Sequence, residues 1–241
     1  MESESSGARP VRSVVRAFVL LEELARHREG VRLSDLSERC DLSRSTTHNL
    51  LATLEHLGYV TQWASAGRYV LTDQAAELGR GAQDSDSELR QRMHPLVARL
   101  VSDVGETCYL AVASWRDAVY LDALESPHPL KVGAVTGDRC RLLGTAIGHA
   151  LLAHRPATAR RIQASEPDEW RRWEQAIADA RRDGFALDIE QYEPGLSCVA
   201  VPVPGYGVAR AALCLAGPAG RLPEHRLREL ADDMKRRLSS A

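Results

Sequence analysis

The chain has 241 residues, a formal net charge of −2 and five cysteines. That length is enough for two domains with separate cores; no apolar run is long enough to span a bilayer, and the acidic, polar start Met1–Ala8 is unlike a secretory signal. The near-zero charge argues against a globally basic nucleic-acid binder, and an odd, scattered set of cysteines without a C-x-x-C pair points to reduced thiols in the cytoplasm.

Residues 1–10 are expected to be disordered. Val14, Phe18, Leu21, Leu24 and Ala25 then share one face of a helix that stops before Gly30. Leu33, Leu36 and Cys40 recur at helical spacing behind Ser34, the expected cap of a second, short helix. Ser43 caps a third, whose apolar face is Thr47, Leu50, Leu51, Leu54 and Leu57. Its start carries Arg44, Ser45, Thr46, His48 and Asn49, hydrogen-bonding groups without apolar bulk, as a helix entering a DNA groove requires. Gly58 ends it. Strands over Tyr59–Trp63 and Arg68–Leu71 then flank the turn Ala64–Gly67, with Arg68 expected at the wing tip, in reach of phosphate or the minor groove. Three helices and a hairpin make a winged helix-turn-helix over residues 11–72, with Arg9, Arg12 and Arg16 adding local positive charge. A plain helical hairpin fits the helix pair alone; the flanking helix and hairpin decide against it.

Residues 73–88 read as a linker, with a hinge at the polar stretch 80–86. Leu89, Met93, Leu96, Val97, Leu100, Val101 and Val104 form one face of a stronger helix ending at Gly105. Strands follow at Cys108–Trp115 and Ala118–Leu124, around Leu130–Val132, at Phe185–Asp188, Leu196–Val203 and Val208–Ala216. Helices interrupt them at Thr145–Ala153, Ala157–Ile162 and Pro167–Asp183, and a last one covers Pro223–Leu238. This order favours an α+β domain with antiparallel sheet over residues 89–241, and argues against a doubly wound parallel one.

No catalytic fingerprint is present: there is no G-x-S-x-G, P-loop, G-x-G-x-x-G or H-E-x-x-H, and no cofactor is expected. An enzyme fused to a DNA-binding domain would have to use Asp188, Cys198 and His149, whose spacing matches no catalytic motif. A stronger rival is a thiol- or metal-responsive regulator in which Cys140, Cys198, Cys214 and His149 converge.

Val11-Arg12-Ser13-Val14-Val15-Arg16-Ala17, Leu50–Val60, Gly133–Ala153, Gly184–Val203 and Val208–Pro218 together resemble the IclR family of bacterial transcription regulators over nearly the whole chain. The family often has an apolar residue at Thr47 and an arginine at Asn49, so its operator sequences do not transfer. The resemblance implies a GAF-like effector-binding domain, a partner in double-stranded operator DNA, a homodimer or homotetramer, and effector contacts at Asp188 and Cys198. The long helices before and after the linker are candidates for self-association. The start of the helix at Gly144–Ile147 offers backbone N–H groups to an anion. Val132, Cys140, Ala146, Ile147 and Leu196 would supply an apolar lining. Cys214 and Ala216 replace serines common in the family, which favours an apolar or aromatic effector, with or without a carboxylate.

Overall fold

The computed structural model describes residues 11–27, 29–63, 66–204 and 210–240. The chain divides into two compact units, Met1–Ser85 and Asp86–Ala241. The expected disordered stretch 1–10, the turn residues Ala64 and Ser65, and Val208 lie outside the described residues.

In the first unit, α1 (Arg12–Ala25), α2 (Leu33–Arg39) and α3 (Arg44–His56) are followed by the hairpin β2 (Val60–Trp63) and β3 (Arg68–Leu71). A two-residue strand, β1 (Val31–Arg32), adds to β3, giving the antiparallel order β1-β3-β2. Gly30 makes this possible: its φ is +75°, and a Cβ there would lie 3.0 Å from the Tyr69 carbonyl oxygen. The core is Leu20, Leu24, Val31, Leu36, Leu51, Leu54, Val60 and Tyr69.

Two sequence expectations are corrected here. The inward face of α1 is Ala17, Leu20, Leu21 and Leu24, whereas Val14 and Phe18 are exposed, because α1 turns its Leu20 side to the helices behind it. Arg32, not Ser34, sits at the cap position of α2; Ser34 lies inside the helix and donates to Asp35. Ser43 does cap α3, accepting the Thr46 N–H at 3.2 Å.

The linker is also different from expectation. A single helix, α4 (Asp73–Val104), runs through the predicted hinge and across the division between the units. The stretch 80–86 carries no proline and only one glycine, so polarity alone did not break it.

The second unit is built on one antiparallel sheet of six strands in the order β6-β5-β4-β9-β8-β7: β4 (Thr107–Ser114), β5 (Asp117–Leu124), β6 (Arg139–Arg141), β7 (Ala186–Ile189), β8 (Leu196–Val203) and β9 (Ala211–Pro218). The helices are α5 (Ala146–Ala153), α6 (Pro156–Ser165), α7 (Pro167–Asp183) and α8 (Glu224–Ser239). Side chains from α4 and α8 pack with one face of the sheet, and those of α5, α6 and α7 with the other. The expected strand around Leu130–Val132 does not form. Pro127 and Pro129 lie just before the stretch, and the Val132 carbonyl accepts from Thr107 Oγ1 at 2.7 Å. The apolar face of α4, including Leu89, Met93, Leu96, Val97 and Leu100, is consumed by its own unit and is not free for self-association.

Strand parity separates two chemistries. On β4, β8 and β9, Leu110, Val112, Val199, Val201, Val203, Leu213 and Leu215 point to the α4–α8 side; Ala111, Ala113, Cys198, Ala200, Ala212, Cys214 and Ala216 point to the α5 side. A bulge on β5 reverses parity: Tyr120 pairs with Ala111 and Asp122 with Leu110. Tyr120 therefore joins the α5 side, while Asp122 turns to α4, where His94 Nδ1 lies 2.7 Å and Arg90 Nε 3.6 Å from its carboxylate.

Candidate functional site

Two constellations emerge, one in each unit. In the first, Ser43, in extended conformation, starts α3; Leu42 bonds back to Ser37 and sets the turn between α2 and α3. Thr47, Leu51 and Leu54 bury one side of α3, and Thr47 Oγ1 donates to the Ser43 carbonyl. Arg44, Ser45, His48 and Asn49 are then exposed on the other side, with Thr46 half-buried. The Ser45 and Thr46 hydroxyls both contact Ser43 Oγ, at 3.1 and 2.8 Å. Arg44, His48 and Asn49 are the longer side chains presented outward. Arg68, expected at the wing tip, is half-buried, and its Nη1 donates to the Gly30 carbonyl at 2.9 Å. It ties the start of β3 to the turn before β1. Behind the helix pair, Glu23 of α1 accepts from Arg39 of α2 and lies 3.2 Å from His27. Burial alone would raise the Glu23 carboxyl, but hydrogen bonds from Arg39 and His27 and the charge of Arg26 outweigh it and hold it below the usual range.

In the second unit, Val132, Cys140, Ala146, Ile147, Leu196, Cys198, Cys214 and Ala216, far apart in sequence, belong to one apolar cluster between the sheet and α5. Asp188 shares the face-parity of Ala186 on β7 and pairs in register with Cys198. Its Oδ1 accepts the N–H groups of Gln191 and Tyr192, at 3.0 and 3.2 Å, so it caps the turn after β7. Burial pushes its carboxyl up, and those two bonds only partly offset this.

The start of α5 is less open to an anion than expected. The Gly144 N–H donates to His149 Nε2 at 3.0 Å, and the Gly148 N–H to Thr145 Oγ1 at 3.2 Å. Because His149 Nε2 accepts, its proton is on Nδ1, and burial lowers its pKa to about 4. This bond also withdraws His149 from the proposed thiol cluster. Among the described residues, no group of three or more His, Cys, Asp or Glu is placed to hold a metal ion. Cys40, Cys108, Cys140, Cys198 and Cys214 are all free thiols. Contact with Cys214 and burial hold the Cys198 thiol well above its usual range, opposing thiolate chemistry.

Sequence reasoning missed Tyr109 and Tyr120, which stack on the same face with centroids 4.3 Å apart. The alternation Tyr109-x-Ala111-x-Ala113, beside Ala212-x-Cys214-x-Ala216, carries the signal: small residues repeat every second position next to a ring.

Known proteins match this arrangement along the whole chain. The family model described as IclR helix-turn-helix domain matches residues 13–63, and that described as Bacterial transcriptional regulator IclR C-terminal matches residues 84–239. The HTH-type transcriptional regulator KdgR of Escherichia coli is 32% identical over 238 residues, covering 91% of this chain and 87% of KdgR. The acetate operon repressor of Salmonella typhimurium is 29% identical, covering 91% and 85%. A crystal structure of an IclR family transcriptional regulator from Brucella abortus superposes with a TM-score of 0.68 at 25% identity, covering 99% of this chain and 92% of that one. The two units, their order and their folds place the chain in one group: it belongs to the IclR family of DNA-binding transcriptional regulators and is not an enzyme.

Proposed function

We propose that this regulator reads operator DNA through the exposed start of α3, and that a small organic effector with substantial apolar or aromatic surface binds on the small-residue face of the second unit. The observation that carries the reading is the convergence of eight apolar and thiol side chains from five segments on one face, under α5. For the DNA half, an α3 capped by Ser43 and buried along Thr47, Leu51 and Leu54 leaves Arg44, His48 and Asn49 for base edges. Self-association as a dimer, or as a dimer of dimers, is proposed through α1. Val11, Val14, Val15 and Phe18 are exposed at i, i+3, i+4 and i+7, with Phe18 58% exposed. A second copy of α1 is the self-complementary partner that a near-palindromic operator requires.

The test is quantitative footprinting and gel-shift titration against operator fragments selected from genomic binding. Arg44→Ala and His48→Ala should each lose about 1–3 kcal/mol of operator binding and relax specificity at one position. Ala146→Trp, which adds bulk between the start of α5 and the sheet, should abolish the response to ligand. Unchanged operator affinity in both folded α3 variants would remove this helix from the DNA contact. A normal ligand response in folded Ala146→Trp would place the effector elsewhere.

A further inference from the structure

The face under α5 is not only small but also electrically neutral, and its few polar groups form a chain. Thr145, the N-cap of α5, lies beside the Cys140 thiol while its hydroxyl donates to the Arg141 carbonyl; Cys140 lies beside the Tyr120 hydroxyl, Tyr120 beside Tyr109, and Tyr109 beside the thiols of Cys214 and Cys198. The two rings are the largest side chains that the central strands raise on this face, stacked at 4.3 Å with 26° between planes. Tyr109 is buried, while Tyr120 is half-buried and lies nearer the rim. Burial drives both phenols and the Cys140 thiol towards their neutral forms, and contact with Cys214 together with burial does so for the Cys198 thiol. Of the arginines on the elements bordering this face, Arg116 and Arg141 pair with Glu166, and Arg181 donates to the Ala153 carbonyl. The ionisable acid on the same side is Asp188, and the Gly144 and Gly148 N–H groups at the start of α5 are already engaged.

We propose that the effector is an uncharged planar aromatic bearing a hydroxyl or carbonyl, which stacks on Tyr109 in place of the Tyr120 ring and takes its hydrogen bonds from the Tyr–Cys–Thr chain. This rests on the reading of this face as the effector site and narrows it by excluding carboxylate ligands. A carboxylate seated here would be desolvated without a counter-charge and close to a buried acid, a cost that hydrogen bonds from phenols and thiols do not offset. A neutral ring loses little on desolvation, gains stacking on Tyr109, and exchanges one phenol for another.

The test is isothermal titration of the full-length protein with matched pairs of one skeleton: 2-naphthol against 2-naphthoate, and 4-methylphenol against 4-methylbenzoate. The neutral member of at least one pair should bind, at least 100-fold more tightly than its carboxylate partner. Tyr109→Phe keeps the ring but cuts the chain, and should weaken the neutral ligand about 10-fold while the melting temperature stays within a few degrees of the parent. Ala146→Trp should abolish the binding. Equal or tighter binding of a carboxylate that Ala146→Trp also abolishes would overturn the neutrality argument and leave the site reading standing. Neutral binding unaffected by Ala146→Trp, or no binding by any member, would overturn both.

Discussion

Gly148→Ala sets two physical effects against each other. In an ordinary helix interior the change stabilises by about 1 kcal/mol, because alanine has the higher helix propensity. At this position, however, a Cβ would lie 2.0 Å from the Leu142 carbonyl oxygen and 2.5 Å from the Leu142 carbonyl carbon. These are backbone atoms, and no rotamer change relieves the clash. The start of α5 must therefore move off the 142–145 segment by more than an ångström. That movement would break the Gly148 N–H to Thr145 cap and stretch the Gly144 N–H to His149 bond, each worth about 1 kcal/mol, on top of overpacking strain of about 1–3 kcal/mol. After subtracting the propensity gain, a net loss of about 2–4 kcal/mol is expected. For a domain of about 150 residues this lowers the melting temperature by roughly 5–15 °C. Thermal unfolding followed by tryptophan fluorescence suits the measurement, since Trp173 of α7 packs beside His149, ring centroids 5.2 Å apart. A variant as stable as the parent, or more so, would refute the argument that Gly148 is fixed by close approach.

Three further outcomes follow from the same geometry. His149 has a pKa lowered from 6.5 to about 4, so between those values the unfolded chain binds a proton that the folded chain does not; its contribution, roughly 3 kcal/mol at most, is complete above pH 6.5 and is lost as pH falls towards 4. His149→Gln should flatten that slope in urea titrations at a series of pH values, and an unchanged slope would show that another group carries it. Arg68→Ala should cost about 1 kcal/mol of stability in the first unit through the lost bond to Gly30, while the salt dependence of operator binding stays the same; a clearly shallower salt slope would restore Arg68 to the phosphate contacts. Phe18→Glu should shift the protein to a smaller species in light scattering at micromolar concentration and weaken binding to a two-half-site operator, whereas an unaltered mass would exclude α1 as the association surface.

The parts of this chain that sequence reasoning reached are those governed by local chemistry. Ser43 and the stripe Thr47–Leu51–Leu54 define α3 without reference to anything distant, and α7 is bracketed by Pro167 and Gly184. Long alternating strands such as Leu196–Val203 were legible for the same reason. What was missed depends on partners. The strands β1 and β6, of two and three residues, exist because β3 and β5 offer them edges. The inward face of α1 could not be chosen from sequence, since its apolar residues cover more than one side and packing against α2 and α3 selects Leu20. Arg68 reads as a free wing charge until Gly30 is seen beside it. In the second unit, eight of the nine expected site residues fall in one cluster and the ninth, Asp188, pairs with one of them, yet the Tyr109–Tyr120 stack escaped notice. Its signal lies across two strands, and the pairing that sets Tyr120 beside Ala111 is invisible in any single segment.

The parity of the sheet also bears on how such a sensor diversifies. On β4, β8 and β9 the residues that carry the bulky core alternate, one for one, with those that face α5. Replacing Cys214 by serine, or Ala216 by valine, would redraw the proposed effector face while leaving Leu213 and Leu215 in place beneath. The codons for recognition and for foldedness are interleaved along the same strands but act on opposite sides of a single backbone layer. Selection can therefore try new ligands one position at a time, with each trial nearly invisible to the hydrophobic layer under α4 and α8. A scaffold of this kind keeps its architecture while its chemical preference drifts.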